Sequence, residues 1–382
     1  MKSARPFALM VKPAGSVCNM RCRYCYYIDN QSSDRSLMSE ELLETTIRNY
    51  FESASYPLVS FIWHGGEPTL RGIDFYRKAV GLQKKYLPQG FECWNNLQTN
   101  GLSLNEEWCA FLKANHFDVG ISVDGTKLIH DTYRSDASGN PTYERIRRNI
   151  QLLQRHGIRP DLLCTVTEDT AKNPLRVYDS LKSFRTGWIQ FIAIVNHDGH
   201  GGVSEESVKP QTYGKFLCAL FRQWVLKDLG KADIQMFIEL LNVYHGGSAS
   251  VCWMQETCGQ ALVVESNGNI YSCDHFVNED HLLGNVRNVC LSDTLQSDLQ
   301  NAFGLSKKDA LSQKCISCPW LKLCHGGCLK DRIKNDHENW LCEGLAMFFA
   351  YADPVYRRID ELLGEKKKTE EIRQIIRKEG LL

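Results

Sequence analysis

Cysteine is the residue type whose number and spacing say most about chemistry in this chain, with 16 among 382 residues. Cys18, Cys22 and Cys25 fall in C-N-M-R-C-R-Y-C, directly after an apolar run. Three thiolates can bind three irons of a cubane cluster and leave the fourth iron open, much as a catalytic zinc keeps one position free. An open iron can chelate a small molecule and pass it an electron. The alternatives are a zinc site or cysteines used for packing. Zinc would want a fourth ligand nearby, and the next Cys or His after Cys25 is His64.

A second group lies towards the C-terminus: Cys252, Cys258, Cys273, Cys315, Cys318, Cys324, Cys328 and Cys342. Eight thiolates suit two four-coordinate sites, and the C-x2-C pair alone would also allow zinc ribbons. Cys93, Cys109, Cys164, Cys218 and Cys290 stand singly in strand or helix patterns and read as packing residues. His64-Gly65-Gly66-Glu67-Pro68 closes another apolar run. Two glycines there let the backbone approach a ligand closely.

These residues need a scaffold. Apolar runs predict strands at Phe7–Lys12, Leu58–Trp63, Glu92–Gln98, Val119–Val123, Leu162–Thr167 and Ile189–Val195. Helical spacing predicts helices at Glu40–Phe51, Phe75–Tyr86, Glu106–Asn115, Tyr143–His156 and Leu175–Ser183, with Ser39 as an N-cap. Six strands each followed by a helix imply a parallel α/β domain, doubly wound or a partial barrel. Both cysteine motif and Gly-Gly then sit at C-terminal strand ends, where such folds gather their active sites. Helices follow near Tyr213–Leu229 and Ile234–His245. After Cys252 short runs and turns take over, with Asn267-Gly268 reading as a hairpin turn before a helical, charged end from Phe348.

Composition narrows the partners. Lys+Arg and Asp+Glu are both 45, so no cationic field favours nucleic acid. The first residues lack the apolar core of a signal peptide, and no run of 18 apolar residues predicts a membrane span. The expected location is the cytoplasm, where thiols stay reduced and cysteine clusters favour metals.

With Tyr24 before its last cysteine, C-x3-C-x2-C resembles the signature of the radical S-adenosylmethionine (SAM) superfamily. The resemblance implies reductive cleavage of SAM to a 5′-deoxyadenosyl radical inside a partial (βα)6 barrel, with Gly-Gly-Glu-Pro binding the methionine amino group. The string C-x2-C-x5-C-x3-C from Cys315 to Cys328, followed by Cys342, resembles the SPASM domain of peptide-modifying radical SAM enzymes. By that family's interleaved pattern Cys252, Cys258, Cys273 and Cys328 bind one auxiliary cluster. Cys315, Cys318, Cys324 and Cys342 bind the other, giving three [4Fe–4S] clusters in all. The domains implied are residues 1–230 (barrel), 231–345 (SPASM) and 346–382 (helical end).

From M-V-K-P-A-G through N-L-Q-T-N-G-L, S-V-D-G and V-V-E-S-N-G-N-I-Y-S-C-D to C-H-G-G-C, the chain is similar to the anaerobic sulfatase-maturating enzymes. They oxidise a Cys or Ser of an unfolded sulfatase polypeptide to Cα-formylglycine, using a low-potential electron donor such as flavodoxin or ferredoxin. Residues matching the family's SAM contacts are Tyr24, Gly66, Ser122, Arg134 and Val195. Tyr27 and His64 match positions lining the peptide site, although His64 replaces a glutamine and could equally be structural. Asp274, directly after Cys273, matches the family's base, whereas read alone it is a turn-capping Asp. The same resemblance admits another SPASM peptide maturase forming thioether or carbon–carbon links. Without it, a zinc-stabilised scaffold would fit the cysteines.

Overall fold

A computed structural model describes residues 2–3, 5–28, 36–200, 202–334 and 337–382. The chain forms two compact units, each assembled from separated stretches. The first comprises Met1–Ser122, Asp131–Pro160 and Cys258–Ser306; the second comprises Val123–His130, Asp161–Thr257 and Lys307–Leu382.

The first unit holds strands β1 (Ala8–Val11), β2 (Met20–Cys22), β3 (Leu58–Trp63), β4 (Glu92–Thr99), β5 (Asp118–Ser122) and β6 (Arg134–Asp136). Strands β1, β3, β4 and β5 pair in parallel in that order, while β2 and β6 form a separate antiparallel ladder. Alternation decides which face is buried. Val59, Phe61 and Trp63 of β3 are buried and meet aromatic residues of the covering helices. Tyr50 of helix Glu40–Ser53 lies 4.9 Å from Phe61, and Tyr76 of helix Ile73–Tyr86 lies 5.3 Å from Trp63. Ser39 caps the first of these helices, accepting from the Leu42 N–H at 3.1 Å.

In the second unit β7 (Asp161–Val166), β8 (Trp188–Ala193) and the two-residue β9 (Asp233–Ile234) run parallel. Helices Pro174–Lys182 and Pro210–Gln223 each begin on a proline, which suits a first turn with no N–H partner to lose. Helix Cys342–Gly364 starts six residues before the Phe348 that the sequence pattern suggests, so Cys342 sits at its very start. It meets helix Pro210–Gln223 at Gly214 and Gly344, where a Cβ on Gly344 would come within 2.0 Å of the Pro210 carbonyl oxygen.

The expected hairpin forms in the first unit as β10 (Ala261–Val264) and β11 (Asn269–Tyr271), followed by β12 (Leu282–Asn285). Its first strand also pairs in parallel with β1, from Ala8↔Ala261 to Val11↔Val264. The first unit's strands therefore run in the order β12-β11-β10-β1-β3-β4-β5. Beyond β11, Asp274 contacts Lys12, the residue after β1, and Tyr26, which places the segment after Cys273 beside the end of β1. Among the described residues no helix is long and apolar enough to cross a membrane.

Candidate active site

The first cysteine loop is held by its backbone. Gly66 N–H donates to the Gly15 carbonyl (2.8 Å), Glu67 N–H to Val17 (2.9 Å), Arg23 N–H to Tyr133 (2.9 Å) and Ala137 N–H to Asn19 (2.9 Å). A Cβ on Gly66 would lie 2.4 Å from the Val17 carbonyl oxygen. The close approach that Gly66 permits is thus first to the cysteine loop itself. Glu67, fully buried, fastens the same corner by accepting from Thr69 N–H (3.0 Å), Thr99 hydroxyl (2.7 Å) and Asn100 N–H (2.8 Å).

Donors point at the sulfurs. Met20 N–H lies 3.3 Å and Asn100 Nδ2 3.7 Å from Cys18 Sγ, and Arg134 Nη1 lies 3.9 Å from Cys22 Sγ. Burial pushes the Cys18 thiol up to about 12, with Cys22 and Cys25 near enough to add to the rise. Three thiols in mutual range, met by N–H groups, fit a thiolate-bound iron cluster better than packing cysteines. Loading iron must displace their protons. Arg134 sits opposite Cys22 in the β2–β6 ladder and 5.4 Å from the Tyr24 ring centroid. Ser122 ends β5 and accepts from Gln98 Nε2 at 3.2 Å. Val195 belongs to the second unit, buried, its carbonyl accepting from Lys330 Nζ at 2.8 Å.

Beside this loop three adjacent strands each end on a polar residue. Lys12 follows β1, His64 follows β3 and Glu265 follows β10, with His64 N–H donating to Val11 and Lys12 N–H to Val264. Lys12 is wholly buried, 3.5 Å from Glu265 and 2.5 Å from Asp274 Oδ1. The contact with Asp274 is a buried ion pair, close enough for the ammonium to donate to the carboxylate as well. The Lys12 ammonium also stands 3.7 Å from the centre of the Tyr27 ring. Tyr27 itself donates to Glu265, with oxygens at 2.8 and 2.6 Å, so its hydroxyl is engaged inside the protein. The neighbouring Tyr26 hydroxyl donates to Asp274 Oδ2.

Burial pushes the Asp274 carboxyl up, but Lys12, His64 and His275 outweigh it and hold the group below the ordinary carboxylate range. It is an anion with 17% of its side chain exposed. At His64, Gly65 N–H donates to Nδ1 at 2.7 Å, which leaves the neutral ring's proton on Nε2. Burial and then Lys12 push this imidazole below its usual value, against the pull of Asp274, so it is neutral near pH 7.

The remaining cysteines divide between the units. Cys258 and Cys273 lie in the first and Cys252 and Cys328 in the second. Burial pushes Cys328 up to about 12, with Cys252 close enough to contribute. Cys324 is pushed up to about 11 by burial, and Cys318, Cys315 and Cys342 all add to the rise, which puts these four in one neighbourhood. Among the described residues no three His, Cys, Asp or Glu side chains converge as ligands of a single metal ion. An all-thiol donor set of this kind fits iron–sulfur clusters.

Residues 13–179 match the radical SAM superfamily, and residues 241–319 match an iron–sulfur cluster-binding SPASM domain. The Bacteroides thetaiotaomicron serine-type anaerobic sulfatase-maturating enzyme is 38% identical over 375 residues, covering 92% of this chain and 90% of that one. The chain belongs to the anaerobic sulfatase-maturating enzymes. A cysteine-type member of the family from Clostridium perfringens is 34% identical, covering 91% of this chain and 97% of its own. The structure of native anSMEcpe with bound AdoMet and Cp18Cys peptide superposes with a TM-score of 0.87 at 34% identity, over 94% of this chain and 99% of that one. Streptococcus suis SuiB, at 16% identity and a TM-score of 0.62, shares the fold. As a sulfatase-maturating family member the chain is a radical SAM oxidoreductase, with a partial (βα)6 barrel followed by a cysteine-rich SPASM region, and it uses iron–sulfur clusters and SAM.

Lys12, Tyr26 and Glu265 escape sequence reasoning, although a signal exists for two of them. Lys12 and Glu265 are the first charges after apolar runs that pair with each other. Gly66→Ala gives a direct check on the corner. The added methyl must drive back the loop carrying Cys18, so iron after anaerobic reconstitution should fall by one cluster, about four irons per chain.

Proposed function

We propose that this chain oxidises a cysteine or serine side chain in an unfolded sulfatase polypeptide to Cα-formylglycine, at a centre of three [4Fe–4S] clusters and SAM. Cys18, Cys22 and Cys25 would hold the SAM-binding cluster. Cys252, Cys258, Cys273 and Cys328 would hold one auxiliary cluster; Cys315, Cys318, Cys324 and Cys342 would hold the other. Tyr24, Gly66, Ser122, Arg134 and Val195 would contact SAM. A low-potential donor such as flavodoxin or ferredoxin, and a cytoplasmic setting, go with that chemistry.

When bound, these groups supply a hydrogen-abstracting 5′-deoxyadenosyl radical and a sink for one electron. The protein must supply the rest. Once the target Cβ has lost a hydrogen atom, its thiol or hydroxyl still has to lose a proton, which needs a base. The observation that carries the reading is the setting of Asp274. It follows Cys273 directly, is anionic, and is held in place by Lys12 at Oδ1 and by the Tyr26 hydroxyl at Oδ2. Tyr26 in turn follows Cys25, so one short chain of contacts links the two cysteine regions of the first unit. The Nε2–H of His64 supplies a donor beside this carboxylate for an oxygen or sulfur of the bound peptide.

Reconstituted protein incubated with SAM, a reductant and a sulfatase-motif peptide should convert the target residue to the aldehyde, read as a mass change. An unchanged peptide alongside SAM cleavage would reject the substrate. Iron analysis should give about twelve irons per chain; about four with stoichiometric zinc would leave only the SAM-binding cluster.

A further inference from the structure

Cys252 opens the short turn Cys252–Met254 in the second unit. Behind that turn lies Lys307, one of the largest side chains fully withdrawn from solvent. Its Nζ donates to the carbonyls of Cys252 (2.8 Å), Trp253 (3.0 Å) and Gln255. Three acceptors use three N–H donors, the full complement of an ammonium, whereas a neutral amine has two. Geometry therefore fixes the positive charge. Burying a cation is unfavourable unless negative charge or dipoles answer it. Carbonyls at a turn can be satisfied by water or an amide without that penalty. Lys308, next in sequence, makes an ordinary surface pair with Glu256 at 2.7 Å, both side chains more than half exposed.

We propose that Lys307 is a redox-tuning residue, whose buried ammonium, locked to the turn that carries Cys252, favours the electron-accepting state of the auxiliary cluster bound there. The inference rests on the reading of Cys252 as an auxiliary-cluster ligand. In the second half of the oxidation the substrate radical forms its carbon–sulfur or carbon–oxygen double bond. It gives its proton to Asp274 and one electron to an oxidised auxiliary cluster, which is reduced by one. A thiolate-bound cubane is already an anion, and the electron adds one more negative charge. A buried cation beside a ligand stabilises that change far more than a solvated one can. Lys307 thereby makes the cluster a better acceptor.

The test is a spectroscopic redox titration of the full chain, reconstituted anaerobically with iron and sulfide. The variants are Lys307→Met, Lys307→Gln, Lys307→Arg and, as a surface control, Lys308→Met. One of the two auxiliary midpoints should move to more negative potential in the Met and Gln variants while the other stays. The Arg variant should restore it, and Lys308→Met should leave both in place. An unmoved midpoint in a cluster-loaded Met or Gln variant overturns the proposal. So does failure of both neutral variants to assemble the cluster while the Arg variant does, because Lys307 would then be a clamp for the turn. Wild-type protein with about four irons would instead remove the underlying assignment of Cys252.

Discussion

Asp274→Asn should uncouple SAM cleavage from peptide oxidation. Hydrogen abstraction needs the SAM-derived radical and no carboxylate, whereas deprotonation of the target does. Formylglycine formation should fall by roughly 10²–10⁴-fold, the range for a lost general base, while 5′-deoxyadenosine release and peptide binding persist. The substitution is mild in structural terms. Asparagine keeps the shape and can still accept from Tyr26, and Lys12 retains Glu265 at 3.5 Å as a counter-ion, so the buried ammonium is not orphaned. A melting temperature near that of the parent would show the fold intact. Two mass-spectrometric readings on one reaction decide the matter, 5′-deoxyadenosine and modified peptide. Near-normal peptide oxidation would return Asp274 to the role of a turn residue.

The Cys18→Ala, Cys22→Ala, Cys25→Ala triple variant should lose SAM cleavage altogether, since no open iron would remain to bind and reduce SAM. It should still load about eight irons at the C-terminal cysteines. The loop should survive without thiols, because its anchors are backbone hydrogen bonds to Gly66, Glu67, Tyr133 and Ala137. Continued release of 5′-deoxyadenosine would place the SAM-binding cluster elsewhere.

Much of this architecture is legible locally. The six strands expected from the apolar runs form within two residues of those runs, and Ser39 and the alternating burial of β3 follow from short-range rules. What is not legible is pairing across distance. Val263 and Val264 read as half of a hairpin, and nothing in their neighbourhood says that the other edge belongs to Met10 and Val11. Without that register Lys12 is a charge after a strand and Glu265 a charge before a turn. With it they become a buried pair beside Asp274. Tyr26 is hidden for the same reason, since its partner lies 248 residues away. The cysteine groups stand out in the sequence because thiolate chemistry depends on residue type and spacing, which the sequence displays directly. Gly66 was readable as a position needing close approach, but only the fold shows that the approaching group includes the cysteine loop.

The most direct measurement follows one hydrogen atom. A sulfatase-motif peptide carrying deuterium on the Cβ of its target residue, incubated with reconstituted protein, SAM and reductant, should yield deuterated 5′-deoxyadenosine together with the peptide aldehyde. Aldehyde without deuterium in 5′-deoxyadenosine, or deuterium transfer ending in a cross-linked peptide with no aldehyde, would contradict the account.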